Sequence, residues 1–158
     1  NMAFNIAKDH LNHFNLAGRV QVFDVSSATV ELAAQAVGCE PARIAKTLSF
    51  AVDGGCVLIV CAGDAKIDNA KFKAQFHTKA TMLTPEQVLD FTGHAVGGVC
   101  PFGIDNPAVT AYLDVSLRRF DTVYPAAGNA ASAVRLSCGE LDILSNSSGW
   151  IDVCKNWS

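Results

Sequence analysis

AKTLSFAVDGGCVLIVCA, residues 45–62, is the segment that decides the fold. Two apolar runs, Ala45 to Val52 and Cys56 to Ala62, flank the sequence Asp53-Gly54-Gly55. Apolar and β-branched residues favour strands, and an Asp-Gly pair between two such runs is typical of a tight turn. The segment therefore predicts a β-hairpin.

Helices and further strands are predicted on both sides of this hairpin from apolar spacing, capping residues and glycines. The predicted helices are Ala3 to Leu16, a helix capped by Ser26 or Ser27 and ending at Val37, Asp68 to Phe76, Pro85 to Phe91, Leu117 to Phe120 as a single turn, and Ser137 to Leu144. The predicted strands are Val20 to Val25, Val109 to Leu113, Thr122 to Tyr124, Val134 to Leu136 and Trp150 to Cys154.

The interspersed strands and helices, together with the hairpin, predict an α+β fold rather than a purely parallel sheet. No repeat or linker divides the 158 residues, a length that suits one core. We therefore expect a single domain over residues 1–158, with a mixed and curled sheet surrounded by helices.

Composition excludes several classes of protein. Half of the residues are hydrophobic and 17% are charged, which excludes a disordered chain. The net charge of −3 argues against a protein that binds DNA mainly by charge. The apolar run Cys56 to Ala62 is too short to cross a membrane, and without a secretion signal at the start the expected location is the cytoplasm.

The six cysteines do not predict a metal site, because no Cys-x-x-Cys and no zinc-ligand spacing occurs. They do not predict disulfides either, because a chain of this size with a large apolar core does not need them. His10 and His13 have helical spacing that could hold a metal, but no carboxylate motif completes such a site. No glycine-rich nucleotide motif occurs either, and we expect neither a metal nor a cofactor.

Lys46 is the first candidate for a functional side chain. On an alternating strand it shares a face with Leu48 and Phe50, and a buried ammonium group without a partner is costly. Lys46 either reaches water from the end of the strand or lies at a pocket floor, where it would hold an anionic or hydroxyl-rich ligand.

The loop Gly97-Gly98-Val99-Cys100-Pro101-Phe102-Gly103 is the second candidate. It is either an ordinary turn or a backbone cradle whose N–H groups hold a developing oxyanion. Cys100 is an alternative nucleophile, with His94 as the nearest histidine in the sequence.

A third candidate is a basic segment with a single acidic residue, Asp68. Such a segment is either a solvated helix face or a surface that contacts nucleic-acid phosphates. Its lysines are Lys66, Lys71, Lys73 and Lys79.

These motifs together resemble the YbaK family, the prolyl-tRNA synthetase-associated editing domains. Lys46-Thr47-Leu48 matches the family's strand lysine, and Gly97 to Pro101 matches its G-x-x-x-P loop. Tyr124 to Asn129, followed by Val134 to Leu144, is similar to the family's late strand, glycine turn, strand and helix.

The resemblance implies a trans-acting deacylase that removes a wrong amino acid from tRNA, with water as the attacking group and assistance from the substrate's ribose hydroxyl. The likeness assigns oxyanion binding to Gly97, Gly98, Val99, Cys100 and Pro101, and positioning of the terminal nucleotide to Lys46. Substrate contacts are assigned to Thr47, Phe102, Gly128 and Asn129. If the basic segment contacts nucleic acid, its four lysines are the residues that contact the tRNA.

Two positions depart from the family pattern, and both concern the pocket that recognises the amino acid. Asn129 stands where relatives carry a histidine or a basic residue, and Ala133 aligns with an aspartate of the Cys-tRNA deacylases.

The implied substrate is tRNA-Pro carrying alanine, cysteine, serine or threonine, with prolyl-tRNA synthetase as a second candidate partner. The alternative is a binding module that holds aminoacyl-tRNA or a small metabolite without turnover.

Overall fold

The computed structural model describes residues 2–158; Asn1, the first residue of the predicted domain, lies outside this range. The helices are α1 (Met2–Asn12), α2 (Val30–Val37), α3 (Asn69–Phe76), α4 (Pro85–Thr92) and α5 (Cys138–Leu144), with 3₁₀ turns at Ala17–Arg19, Pro41–Arg43 and Val115–Arg119. The strands are β1 (Val20–Val22), β2 (Ile44–Val52), β3 (Gly55–Ala62), β4 (Lys66–Ile67), β5 (Val109–Asp114), β6 (Thr122–Pro125), β7 (Ser132–Val134), β8 (Leu136–Ser137), β9 (Trp150–Ile151) and β10 (Cys154–Lys155).

Six of these strands form a mixed, curled sheet in the order β8-β6-β2-β3-β5-β9. β2 and β3 pair antiparallel, whereas β6 runs parallel to β2 and β5 runs parallel to β3. Two small antiparallel pairs, β1 with β7 and β4 with β10, lie beside this sheet. The predicted α+β class with a mixed, curled sheet is confirmed.

The central hairpin forms where the sequence predicts it. Asp53 and Gly54 connect the paired residues Val52 and Gly55, and both have left-handed backbone angles, with φ of 51° and 78°. Two consecutive positive φ angles match the twist of the flanking strands, which explains the Asp-Gly pair. Nearly all of β3 is buried because helices or loops cover both faces of the sheet there.

Aromatic packing fixes α3 against the hairpin. The ring of Phe72 lies 4.9 Å from that of Phe50 and 4.7 Å from that of Phe76, measured between centroids. Phe72 is fully buried, so this contact leaves the lysines of α3 on the outer surface.

Several predicted helix and strand boundaries are wrong, because long-range strand pairing or local helix caps determine where these elements begin and end. The predicted strand Val134 to Leu136 is interrupted at Arg135, where the chain leaves its partner β1 and joins β6. The predicted strand Trp150 to Cys154 is likewise two strands, one on β5 and one on β4.

Local contacts correct three further boundaries. α2 is capped by Thr29, whose hydroxyl accepts from the N–H of Leu32, and not by Ser26 or Ser27. The first helix ends at Asn12, not at Leu16, and β1 ends at Val22, not at Val25.

Candidate active site

A cavity of about 450 Å³ opens beside the N-terminal half of β2. The strand supplies one wall, and the starts of α2 and α4 supply others. Most lining side chains are apolar, and among the described residues that line the cavity Lys46 is the one charged side chain. The walls include Ala33, Leu48, Leu83, Val88, Val99, Tyr124, Ala126 and Ala133.

The ammonium group of Lys46 is held at this cavity by backbone carbonyls. Its Nζ donates to the carbonyl oxygen of Ala65 at 2.5 Å and to that of Gly63 at 3.4 Å. The carbonyls belong to the loop after β3, and neither Gly63 nor Ala65 lines the cavity. Lys46 itself lines the cavity, and its ammonium group is bonded to the backbone and does not only reach solvent.

The glycine loop contacts the cavity at some positions only. Gly97 and Val99 line it, whereas Gly98, Cys100 and Pro101 do not. Gly97 has a φ of 95°, which a glycine adopts without strain.

Gly98 is the position where the loop meets the turn that contains Asn129. A Cβ atom added at Gly98 would lie 2.5 Å from the Cα of Asn129 and 2.9 Å from its nitrogen. Real side chains do not approach a backbone this closely, so only glycine lets the loop and the turn pack together. This contact fixes the path of the loop past the cavity.

Only some residues of the glycine loop have a backbone N–H group that is available to a ligand, although the sequence predicts such donors along the whole loop. The N–H of Gly98 already donates to the carbonyl of Ala95 at 3.0 Å, and proline has no N–H. Within residues 2–158, no acceptor is found for the N–H groups of Gly97, Val99 and Cys100. Of these three residues, Gly97 and Val99 line the cavity.

Cys100 and His94 are neighbours, but both are fully buried. The Cys100 sulfur lies 3.7 Å from Nε2 of His94, which also lies 3.3 Å from the carbonyl oxygen of Phe102. Burial raises the pKa of the Cys100 thiol to about 12 and lowers the pKa of the His94 imidazole. Both groups are therefore neutral at pH 7, which does not favour a thiolate nucleophile.

Two hydroxyl groups in residues that line the cavity have no hydrogen-bond partner among the described residues, Ser27 Oγ and Thr47 Oγ1. Leaving a buried hydroxyl unpaired costs about 1–3 kcal/mol, so such groups call for a ligand or a water. Thr47 is a predicted substrate contact, but Ser27 is not. Ser27 lies in the sequence Ser-Ser-Ala-Thr, which is also typical of a helix cap. Only the tertiary structure distinguishes a capping residue from a residue that lines the cavity.

The other predicted substrate contacts lie away from the cavity surface. Phe102 is fully buried in the main core, and Gly128 packs against the backbone of α1 at Ala3. The Asn129 side chain accepts from the N–H of Ala131 at 2.9 Å, which stabilises its own turn. Ala133, the second departure from the family pattern, does line the cavity.

The lysines of the basic segment are exposed, and none of them lines the cavity. Lys71 is paired with the Asp152 carboxylate at 3.0 Å and also donates to the carbonyl of Cys154. Lys66 directly follows Ala65, whose carbonyl accepts from the ammonium group of Lys46.

Residues 2–158 contain neither a cluster of metal ligands nor a membrane-spanning helix. In this range no group of three or more His, Cys, Asp or Glu side chains could hold a metal ion. His10 contacts the carbonyl oxygen of Leu144 through Nε2, at 2.8 Å. No helix in the same range has the length and apolar character needed to cross a membrane.

Comparison with known proteins assigns a family to this arrangement. The sequence model described as "Aminoacyl-tRNA editing domain" matches residues 24–143, which include β2, the cavity and the glycine loop. The uncharacterized protein YwhH of Bacillus subtilis is 51% identical over 158 residues, covering 99% of each chain.

Two further similarities concern proline–tRNA ligases. The proline–tRNA ligase of Thermotoga sp. strain RQ2 is 31% identical over 93 residues, which cover 58% of this chain and 16% of the ligase. A crystal structure provisionally assigned as a trans-editing enzyme for prolyl-tRNA synthetase superposes with a TM-score of 0.87 at 29% identity, covering 98% of both chains.

Proposed function

The chain belongs to the aminoacyl-tRNA editing domain family, and we propose that it is a trans-acting deacylase that hydrolyses the ester of mischarged tRNA. The observation that carries this proposal is the cavity itself. Gly97 and Val99, whose backbone N–H groups lack acceptors among residues 2–158, line the same small, mainly apolar cavity as Lys46. This arrangement supports binding of an ester carbonyl beside an anionic nucleotide.

In the proposed reaction, a water oxygen forms a bond to the ester carbonyl carbon. The N–H groups of Gly97 and Val99 donate to the carbonyl oxygen as negative charge develops on it. The bond from the carbonyl carbon to the ribose oxygen then breaks, and that oxygen takes up the proton that the attacking water has lost. The neighbouring ribose hydroxyl of the substrate assists the water, so the protein supplies neither a nucleophile nor a cofactor.

The remaining predicted residues have supporting roles in this proposal. Lys46 holds the terminal nucleotide, and Thr47 contacts the substrate through its unpaired hydroxyl. Cys100, Pro101 and Phe102 support the loop from the core side. Gly128 and Asn129 form the turn against which Gly98 packs.

We propose tRNA-Pro carrying a small non-cognate residue, such as alanine, cysteine, serine or threonine, as the substrate. Small residues are poorly discriminated during charging because one methylene group changes binding by only about 1–3 kcal/mol. The similarity to proline–tRNA ligases supports this tRNA, and it makes prolyl-tRNA synthetase a candidate partner. We place this activity in the cytoplasm and assign the whole chain to one editing domain.

A deacylation panel tests this proposal. Purified tRNA-Pro is charged with each of the four small residues or with cognate proline, and release of the amino acid is followed over time. We expect at least one mischarged tRNA to lose its amino acid at least about tenfold faster than the cognate form. Equal rates with and without protein for every ester would contradict the proposal and favour the binding module.

We expect Cys100→Ala to retain activity within about threefold, because the mechanism uses the backbone and not the thiol. In the native protein at pH 8, iodoacetamide should leave Cys100 unmodified while the half-buried Cys39 reacts. Peptide mass spectrometry measures both sites. A folded but inactive Cys100→Ala, or an acyl-thioester trapped at Cys100, would instead identify this residue as the nucleophile.

If the basic segment contacts tRNA phosphates, reversing the exposed Lys73 and Lys79 to glutamate should raise KM with little change in kcat. The slope of log KM against log salt concentration should fall by about one for each phosphate that the protein no longer neutralises. Lys8→Glu, at an exposed lysine of α1, is the matched control. A salt slope equal to that of the wild type would show that the segment is only a solvated helix face.

A further inference from the structure

The side-chain hydroxyl of Ser27 forms no hydrogen bond with any described residue of the fold. Only 8% of the residue is exposed, and Oγ has no partner among the described residues. Its neighbours form the local hydrogen bonds of the segment: the Ser26 hydroxyl accepts from the N–H of Ala28, and the Thr29 hydroxyl caps α2. Ser27 is therefore a cavity-lining residue whose buried hydroxyl is unpaired.

The position of Ser27 is fixed next to the glycine loop. Its N–H donates to the carbonyl of Ala130 at 2.6 Å, which anchors the backbone. The following residue, Ala28, contacts the loop, since its Cβ lies 3.3 Å from a Cβ built at Gly97. Ser27 thus directly precedes a residue that packs against Gly97, whose N–H we propose holds the ester carbonyl. In an aminoacyl ester, the β-carbon is the side-chain atom nearest to that carbonyl.

We infer that Ser27 is a specificity-determining residue that hydrogen-bonds a hydroxyl group on the β-carbon of the aminoacyl group. The preferred esters are then those of serine and threonine. This inference rests on the proposed deacylase function. A buried hydroxyl that needs a hydrogen-bond partner discriminates against a ligand that cannot supply this partner. Rotation about one side-chain bond, Cα–Cβ, would direct Ser27 Oγ towards the cavity.

Two other polar groups of cavity-lining residues are already hydrogen-bonded, whereas Thr47 Oγ1 is unpaired like Ser27 Oγ and contacts the substrate in the proposed function. The Lys46 ammonium is bound by two carbonyls, and the Ser132 hydroxyl is bonded to the N–H of Ala127. The cavity wall at Ala126 and Ala133 offers only methyl groups to the ligand.

The first test uses the wild-type protein and a pair of nearly isosteric substrates. Deacylation of seryl-tRNA-Pro is compared with that of 2-aminobutyryl-tRNA-Pro, in which a methyl group replaces the hydroxyl. We expect kcat/KM to be at least about tenfold higher for the seryl ester. This comparison does not depend on whether any variant folds.

The second test uses Ser27→Ala, with Ser26→Ala as the matched control because its hydroxyl is exposed and bonds only locally. Ser27→Ala should lower kcat/KM for the seryl ester by about tenfold and leave the alanyl ester within about twofold. Ser26→Ala should leave both within about twofold.

Three results would overturn the inference. Equal hydrolysis of the seryl and 2-aminobutyryl esters by an active enzyme would refute the substrate preference and leave the deacylase function standing. If Ser27→Ala slows the hydrolysis of all esters equally, Ser27 contacts a group that every substrate shares and does not determine specificity. Hydrolysis of no ester at all would overturn the proposed function itself, and this inference with it.

Discussion

Gly98→Val is expected to lower kcat/KM for mischarged tRNA by at least about a hundredfold, because loss of one oxyanion donor costs roughly 10²–10³ in rate. The added Cβ would lie 2.5 Å from two backbone carbons of Asn129, so the loop must move away from its supporting turn. The N–H groups of Gly97 and Val99 move with it. Single-turnover deacylation measures the loss.

Gly18→Val is the control for this variant, because a Cβ at Gly18 meets no atom within 4 Å. It should retain activity, and circular dichroism should show that both variants keep their secondary structure. A folded Gly98→Val protein with activity within about threefold of the wild type would show that loop position is unimportant for the reaction.

Lys46→Ala is expected to reduce kcat/KM by at least about tenfold, which corresponds to about 1.4 kcal/mol of transition-state stabilisation. Lys46 is the one charged side chain among the described cavity-lining residues, so its removal leaves no cation there for the nucleotide. Lys46→Met retains most of the aliphatic stem and should lose a similar amount, which separates charge from packing.

Lys8→Ala provides the control for this lysine, since Lys8 is exposed on α1, lies outside the basic segment and does not line the cavity. Its activity should remain close to that of the wild type. Unchanged kcat/KM in a folded Lys46→Ala protein would remove Lys46 from the site.

The parts of the fold that depend on local chemistry can be predicted from the sequence. The hairpin follows from Asp53-Gly54, and both α4 and α5 begin at capping boxes, formed by Thr84 with Gln87 and by Ser137 with Glu140. In each case the residues that fix the backbone lie within a few positions of each other.

The features that could not be predicted depend on long-range contacts. The interruption at Arg135 arises because the residues before it pair with β1 and the residues after it pair with β6. Ser27 lies in a sequence that is typical of a helix cap. Only the packing of α2 against β2 shows that its hydroxyl has no hydrogen-bond partner. The contact between His94 and Cys100 likewise depends on the path of a glycine-rich loop, which local propensities do not determine.

Turnover measured with limiting protein tests the central claim most directly. With tRNA-Pro charged with serine or alanine in about hundredfold excess over protein, a deacylase releases many equivalents of amino acid and leaves intact tRNA. We predict steady release of more than about ten equivalents by the wild type, and a rate at least about tenfold lower with Lys46→Ala. Binding of the mischarged tRNA with release of no more than the uncatalysed background would contradict the account and identify the protein as a binding module.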